Sequence, residues 1–225
     1  MFVEIKNLHF KYRNSKKDTI ENFNMEIEKG EILAILGESG SGKSTMLRII
    51  AGLEEAYRGT IKIGDKIVFS SGKFIEPENR GIGMVFQDYA LFPHMTVKKN
   101  IQYGLKGKSR DEKENIATEM LTLVNLIEHK DKYPYELSGG QQQRVAIARA
   151  IAPKPSVLLL DEPFSNLDAD LQEKIRSEIK EILRKAGITS IFVTHDREDA
   201  KALADKFIEL KDGKIIKSGS ALGEC

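Results

Sequence analysis

Three short stretches of this chain carry residue types that handle phosphate and water. Gly37-Glu38-Ser39-Gly40-Ser41-Gly42-Lys43-Ser44 fits G-x-x-x-x-G-K-[ST] at every fixed position. A triphosphate is densely charged, so its site needs donors that approach closely. Gly37, Gly40 and Gly42 keep side chains out of the way. The backbone N–H groups of Ser39 to Thr45 can then wrap a β-phosphate at a helix amino terminus, where the macrodipole adds about half a positive charge. Lys43 would reach the β- and γ-phosphates, and the Ser44 hydroxyl would ligate Mg²⁺. The second stretch is Val157-Leu158-Leu159-Leu160-Asp161-Glu162. Asp161 closes a buried apolar strand and so places a carboxylate at the edge where ligands of α/β sheets sit, suited to holding Mg²⁺. Glu162 points to the other side of the strand direction and is the candidate general base for an attacking water. The third is Leu137-Ser138-Gly139-Gly140-Gln141, which opens a helix with small residues, free N–H groups and a positive dipole end. It repeats the phosphate-loop chemistry, against the plainer alternative of a simply capped helix.

The elements that must position these groups follow from hydrophobic pattern. Residues 2 to 30 alternate apolar and polar positions and predict half-buried antiparallel strands. Ile32 to Leu36 is a continuous apolar run ending in glycine, as in a strand covered on both faces, and a helix from Ser44 to Ala51 opens on the phosphate loop. Residues 60 to 75 alternate again around turns at Gly64-Asp65 and Ser70-Gly72, and Met84-Val85-Phe86 predicts a buried strand ending at Gln87. Ile116, Met120, Leu123, Val124 and Ile127 then fall at helical spacing from about Asp111 to Ile127, and Gly139 to Ile151 predicts a second helix. Val157–Leu160 and Ser190–Thr194 are further buried strands. Between them Leu171, Ile175, Ile179, Ile182 and Leu183 share one helix face. This alternation implies a parallel, doubly wound core. Asp212-Gly213 predicts a hairpin between Phe207–Leu210 and Ile215-Ile216.

Composition narrows the class. At 225 residues the chain suits one large α/β domain. Its 35 basic and 34 acidic residues give a formal net charge of +1, no long-range reason to bind nucleic acid. The one cysteine, Cys225, excludes an internal disulfide, fits a reducing compartment and reads as an inert tail residue. No run approaches the ~20 apolar residues that span a bilayer, so any membrane path would belong to another polypeptide.

Taken together, the phosphate loop, Leu137–Gln141 and Asp161-Glu162 resemble the nucleotide-binding subunits of ABC transporters, over about Val3 to Gly219. The resemblance implies a P-loop NTPase (RecA-like) parallel-sheet core at 31–57, 81–87 and 151–219. It adds an antiparallel β subdomain at 1–30 and 58–80 and an inserted helical subdomain at 88–150, all within one domain spanning 1–225. It implies ATP and Mg²⁺ as cofactors. Gln87 would touch Mg²⁺ and the water, and His195 would contact the γ-phosphate. Tyr12 would stack on adenine, unless it packs on the sheet, with Phe10 as the competing aromatic. Ser138, Gly139, Gly140 and Gln141 of one copy would cap ATP held by Gly37 to Thr45 of another, so two nucleotides would join a head-to-tail dimer. Ser165-Asn166-Leu167-Asp168 matches the segment along that interface, with Asn166 in place of the expected alanine and Asp168 retained as a nucleotide-side residue.

Asp88-Tyr89-Ala90-Leu91-Phe92-Pro93-His94-Met95-Thr96-Val97 is apolar and aromatic without a clear period. In similar subunits this segment receives a short helix from the membrane permease, against the alternative that its side chains pack the helical subdomain. Phe86–His94 and Tyr135–Arg144 are worded like ATPases of binding-protein-dependent importers, which work at the cytoplasmic face of the membrane with an extracytoplasmic solute-binding protein. Ile101–Leu105 and Thr194–Glu198 lean towards ferric iron uptake, although polyamine, sulfate, molybdate, thiamine and sugar systems share much of this wording. Many such importers continue into a carboxy-terminal β-barrel regulatory region, whereas this sequence stops at Cys225. The competing expectations are an exporter subunit, a soluble ABC-type ATPase, and a P-loop kinase or nucleotide-binding structural protein without a hydrolytic cycle.

Overall fold

The computed structural model describes residues 1–165 and 169–221, the side chains of 169–171 excepted. Asn166, Leu167, Asp168, the Leu171 side chain and Cys225 therefore lie outside the described residues. In chain order the elements begin with β1 (Val3–Phe10), β2 (Ile20–Ile27), β3 (Ile32–Leu36) and α1 (Lys43–Ala51). Strands β4 (Arg58–Ile63), β5 (Lys66–Ser70), β6 (Lys73–Phe74) and β7 (Ile82–Val85) follow. Next come α2 (Val97–Gln102), α3 (Arg110–Leu123), α4 (Gly139–Ile151), β8 (Val157–Asp161) and α5 (Ala169–Ala186). The described chain closes with β9 (Thr189–Thr194), α6 (Arg197–Leu203), β10 (Lys206–Lys211) and β11 (Lys214–Ser220).

The alternating strands form an antiparallel sheet ordered β2-β1-β4-β5-β6, and the continuous apolar runs form a second sheet ordered β11-β10-β3-β9-β8-β7. Within β1 the buried positions change phase, from Val3 and Ile5 to Leu8 and Phe10. Asn7, at φ 47°, makes the bulge that returns Leu8 and Phe10 to the core face. In the second sheet every pairing is parallel except β10 with β11. Its central strand β3 divides its side chains by parity. Leu33 and Ile35 join α1 and the antiparallel sheet in one core, while Ile32, Ala34 and Leu36 join α4, α5 and α6 in the other. Fully buried phenylalanines at 23, 192 and 207 each contribute about 2–3 kcal/mol through burial. The turn at Asp212-Gly213, with φ 48° and 76°, matches the primed hairpin geometry that Asp-Gly favours.

Two boundaries differ from the sequence pattern. Strand β7 stops at Val85, because Phe86 leaves the sheet and is exposed, so Gln87 stands two residues beyond the strand instead of ending it. Helix α3 ends at Leu123 although apolar spacing continues to Ile127. Asn125 adopts φ 54°, which turns the chain, and Ile127 is exposed in a separate short turn. The start of α3 is fixed by a reciprocal cap, with Glu112 N donating to Ser109 Oγ at 3.2 Å and Ser109 N donating to Glu112 Oε2 at 2.8 Å.

Candidate active site

Strand register brings β3, β9, β8 and β7 to a common carboxyl edge. Leu36 pairs with Thr194, Val193 with Asp161, and Leu160 with Val85. The residues one step further, Gly37, His195 and Glu162, therefore surround one opening. A cavity of about 600 Å³ lies there, lined by Gly37, Glu38, Ser39, Glu162, His195 and Arg197 among others.

The loop backbone is packed closely at Gly37 and Gly42, while Gly40 has open space around it. A Cβ on Gly37 would lie 2.3 Å from the Leu210 carbonyl oxygen and 2.6 Å from Ser41 Oγ. Gly42 takes φ 104° as the residue before α1 and supplies no side-chain cap. The first helical bond is Met46 N to Gly42 O at 2.9 Å, so the N–H groups of Lys43 to Thr45 precede the helical ladder. Lys43 is buried and its Nζ donates to Gly37 O at 2.8 Å and Glu38 O at 2.9 Å, spanning the loop. Burial pulls its pKa below the ordinary lysine value, against the pull of the Glu162 and Asp161 carboxylates.

Ser44 Oγ donates to Asp161 Oδ1 at 2.8 Å, joining the last phosphate-loop hydroxyl to the end of β8. Burial raises the Asp161 pKa, the Ser44 hydrogen bond opposing it and the Glu162 charge adding to it. Two hard oxygen donors side by side, with the buried Ser41 Oγ of the same loop lacking a hydrogen-bond partner among the described residues, fit a magnesium-bound phosphate group. Glu162 follows with φ 43°, a left-handed conformation costly for a non-glycine residue. Its N–H donates to Val193 O at 3.1 Å, and its Oε2 lies 3.4 Å from His195 Nδ1. Gln87 meets this group from the side, its Nε2 donating to Ser165 Oγ at 3.2 Å, while Ser165 Oγ donates to Glu162 O at 3.0 Å.

Tyr12 and Phe10 have separate fates. Phe10 is buried in the sheet core, whereas Tyr12 is exposed, packs edge-on against Phe10 at 4.7 Å and reaches Thr45 Oγ1 with its hydroxyl at 3.1 Å. Tyr12 is therefore the aromatic beside the phosphate-loop helix. Ser138, Gly139, Gly140 and Gln141 do not line the cavity of this chain. Ser138 Oγ accepts from Gln141 N at 3.4 Å and Gln141 Oε1 accepts from Ser138 N at 3.0 Å, a reciprocal cap on α4.

Some groups escaped sequence reasoning. Arg197 and Glu209 line the cavity, 3.1 Å apart, and nothing in their local sequence marks them. Asn100, fully buried, accepts from Phe92 N at 2.8 Å and donates to Phe92, Met95 and Thr96 carbonyls at 3.1 Å, shaping the 88–97 segment from within. Arg149 adds bonds to the Tyr89 and Ala90 carbonyls. Tyr89 is buried, while Pro93 and His94 stay exposed. The available signal for Asn100 was the Thr96 cap four residues before it, which fixes the start of α2.

A glycine-rich loop between a central parallel strand and a helix, facing an acidic strand end across a hydroxyl–carboxylate contact, defines a P-loop NTPase. A model of the ABC transporter family matches residues 20–165. An iron(III)-import ATP-binding protein, FbpC, of Fusobacterium nucleatum is 46% identical over 221 residues, 97% of this chain and 58% of that protein. The trehalose/maltose import ATP-binding protein MalK of Thermococcus litoralis is 47% identical over 205 residues, 89% of this chain and 55% of that protein. The dimeric post-hydrolysis structure of the ATP-binding cassette MJ0796 with ADP and Pi superposes with a TM-score of 0.81 at 34% identity, covering 99% of this chain and 100% of that one. The chain belongs to the ABC transporter family, as an ATP-binding cassette of its ATPase class. It spans about three-fifths of the length of the curated relatives it matches. Among the described residues no helix is long and apolar enough to cross a membrane.

Proposed function

We propose that this chain binds and hydrolyses MgATP in a head-to-tail pair with a second copy, and that the cycle drives solute import through separate membrane permease subunits. The observation that carries the hydrolytic reading is the Glu162–His195 pair at the mouth of a cavity lined by Gly37, Glu38 and Ser39, with Lys43 bonded to the Gly37 and Glu38 carbonyls and Asp161, the residue before Glu162, bonded to Ser44. N–H groups between Ser39 and Thr45, other than Ser41 N, which donates to Glu38 O at 3.2 Å, and the Lys43 ammonium hold the phosphates, and Tyr12 faces the base. Ser44, Asp161 and Gln87 would hold Mg²⁺, which when bound supplies charge neutralisation at phosphate oxygens. Glu162 accepts the proton of the attacking water, while His195 steadies the carboxylate and meets the γ-phosphate. The Ser138–Gln141 end of α4 in the second copy completes the phosphate shell. Asp168, on the interface segment, would lie on the nucleotide side.

Import is supported by the names of the relatives, among them iron(III), sn-glycerol-3-phosphate, polyamine and maltose systems. Such a complex works at the cytoplasmic face of the membrane, with an extracytoplasmic solute-binding protein and permease contacts near residues 88–97. Iron(III) is the cargo we favour. A decisive variant is Glu162→Gln. With saturating MgATP, sedimentation should show a dimer and hydrolysis should fall at least ~100-fold. A species that stays monomeric would overturn the paired site. Affinity capture of the tagged chain from gently solubilised native membranes should return a permease and a solute-binding protein. Ribosomal or DNA-associated partners would remove the transport reading.

A further inference from the structure

The last residues of β9 sit on a polar hub that the proposed hydrolytic groups do not include. Thr194 is buried and donates through Oγ1 to Asp199 Oδ2 at 2.5 Å, and the same Oγ1 accepts from Asp196 N at 3.0 Å. Those two bonds pin the backbone on both sides of His195. Asp196 and Asp199 are in turn joined by one guanidinium. Arg176, from the middle of α5, donates through Nε to Asp199 Oδ1 and through Nη2 to Asp196 Oδ2, both at 2.6 Å. Asp199 is buried and Arg176 nearly so.

The hub also reaches the segment after Glu162. The Arg176 guanidinium lies over the Phe164 ring, 5.9 Å from its centre. Arg176 Nη2 donates to Gln172 Oε1 at 3.3 Å, and Gln172 Nε2 donates to Phe164 O at 3.4 Å. A small cavity of about 90 Å³ lies between hub and site, lined by Glu162, Ser165, Thr194, His195 and Asp199 among others. One planar fork thus ties the backbone that presents His195 to the backbone that presents Glu162. A lysine cannot reproduce this, because a point charge cannot serve two carboxylates and an aromatic face in fixed directions.

We infer that Arg176 is a positioning residue for hydrolysis: by bridging Asp196 and Asp199 while stacking on Phe164, it sets the 3.4 Å approach of His195 Nδ1 to Glu162 Oε2. Its role rests on the reading of Glu162 and His195 as the hydrolytic pair. Burial pushes the Asp199 carboxyl upward in pKa, against its bonds from Thr194 and Arg176, which makes the hub dependent on the cation.

The test is steady-state MgATP hydrolysis by the full chain and by Arg176→Gln, His195→Ala and the double variant, with thermal unfolding alongside. Arg176→Gln should lower kcat about tenfold or more with KM within about twofold, because displacement of a reacting pair costs rate and not nucleotide affinity. In the His195→Ala background the same substitution should cost little further, since the two act through one arrangement. Should Arg176→Gln fail to fold, Arg176→Lys keeps the charge without the fork and carries the same cycle. Wild-type kcat in the Arg176 variant, or fully additive losses in the double variant, would overturn the positioning role while leaving the pair standing. Wild-type kcat in His195→Ala would remove the reading of the pair, and the role of Arg176 with it.

Discussion

Helices α1 and α4 both begin with small residues ahead of a set of N–H groups, yet they treat those groups differently. At α1 the preceding residue is Gly42 in a left-handed conformation, no side chain caps the turn, and the loop backbone is wedged against Leu210 and Ile20. At α4 the preceding residue is Ser138 in an extended conformation, and Ser138 and Gln141 cap each other. Neither helix carries an acidic residue in its first turn. The α1 end is therefore built to receive an anion by itself, whereas α4 has its serine and glutamine satisfied within the chain. An anion at α4 must use the glycine N–H groups or displace the cap, which suits a contribution made only when a second surface brings the phosphate.

The largest expected effect tests the α1 side. Lys43→Ala removes a buried ammonium that would contact two phosphates, and single-chain MgATP affinity should fall more than ~100-fold, roughly 3 kcal/mol. Gly37→Ala should approach that loss without removing any donor, since its Cβ would meet backbone at 2.3 Å. Equilibrium titration with a fluorescent ATP analogue measures both. Unchanged affinity in the two variants would break the asymmetry, because the loop would then not be the primary anion site.

Ser138→Ala sharpens the other side. Its cap on α4 should cost about 1 kcal/mol of stability. If α4 acts only on nucleotide held by another copy, single-chain affinity should stay within about twofold while kcat falls roughly a hundredfold, the lower end of the loss for a removed charge-stabilising donor. Affinity and rate falling together in the monomer would show that α4 serves its own chain.

Much of this asymmetry could be read from the sequence, and the reasons are local. The phosphate loop and Asp161-Glu162 are contiguous, and the apolar runs beside them admit only buried strands. The Ser138 and Gln141 spacing was legible as a helix start for the same reason. What escaped depends on distant partners. The Glu162 backbone takes a positive φ because its N–H is drawn to Val193 on the neighbouring strand, and no residue-type signal marks that. Arg80 looks like a surface residue, yet it is buried with Nη1 donating to the Ile49 and Ile50 carbonyls at 2.8 and 2.9 Å, capping the far end of α1. That burial brings its pKa down to about 10. Gln87 illustrates the reverse error: apolar Phe86 extended the predicted strand, while the structure turns Phe86 outward.

The smallest expected effect concerns the charge stored on the α1 side alone. The Asp161 carboxyl is raised above its usual value of 3.8, chiefly by burial, so the fold favours its protonated form. A raised pKa contributes stability that is present below the unfolded value and lost as pH rises through the folded value. At neutral pH the wild type therefore carries the cost of an ionised buried carboxylate, which Asp161→Asn avoids while still accepting from Ser44. The variant should be more stable by about 1 kcal/mol at pH 7, within the range of favourable single substitutions, although it hydrolyses no MgATP. Thermal unfolding between pH 2.5 and pH 8 should show this advantage shrinking as pH falls and gone by about pH 3, below the unfolded value, where both states of the wild type bind the proton. Ser138→Ala, at an end without a buried carboxylate, should show a pH-independent loss across the same range. A wild type more stable than Asp161→Asn at pH 7 would mean that the Ser44 and Lys43 contacts outweigh burial, and that the phosphate loop stabilises the fold instead of storing strain for its ligand.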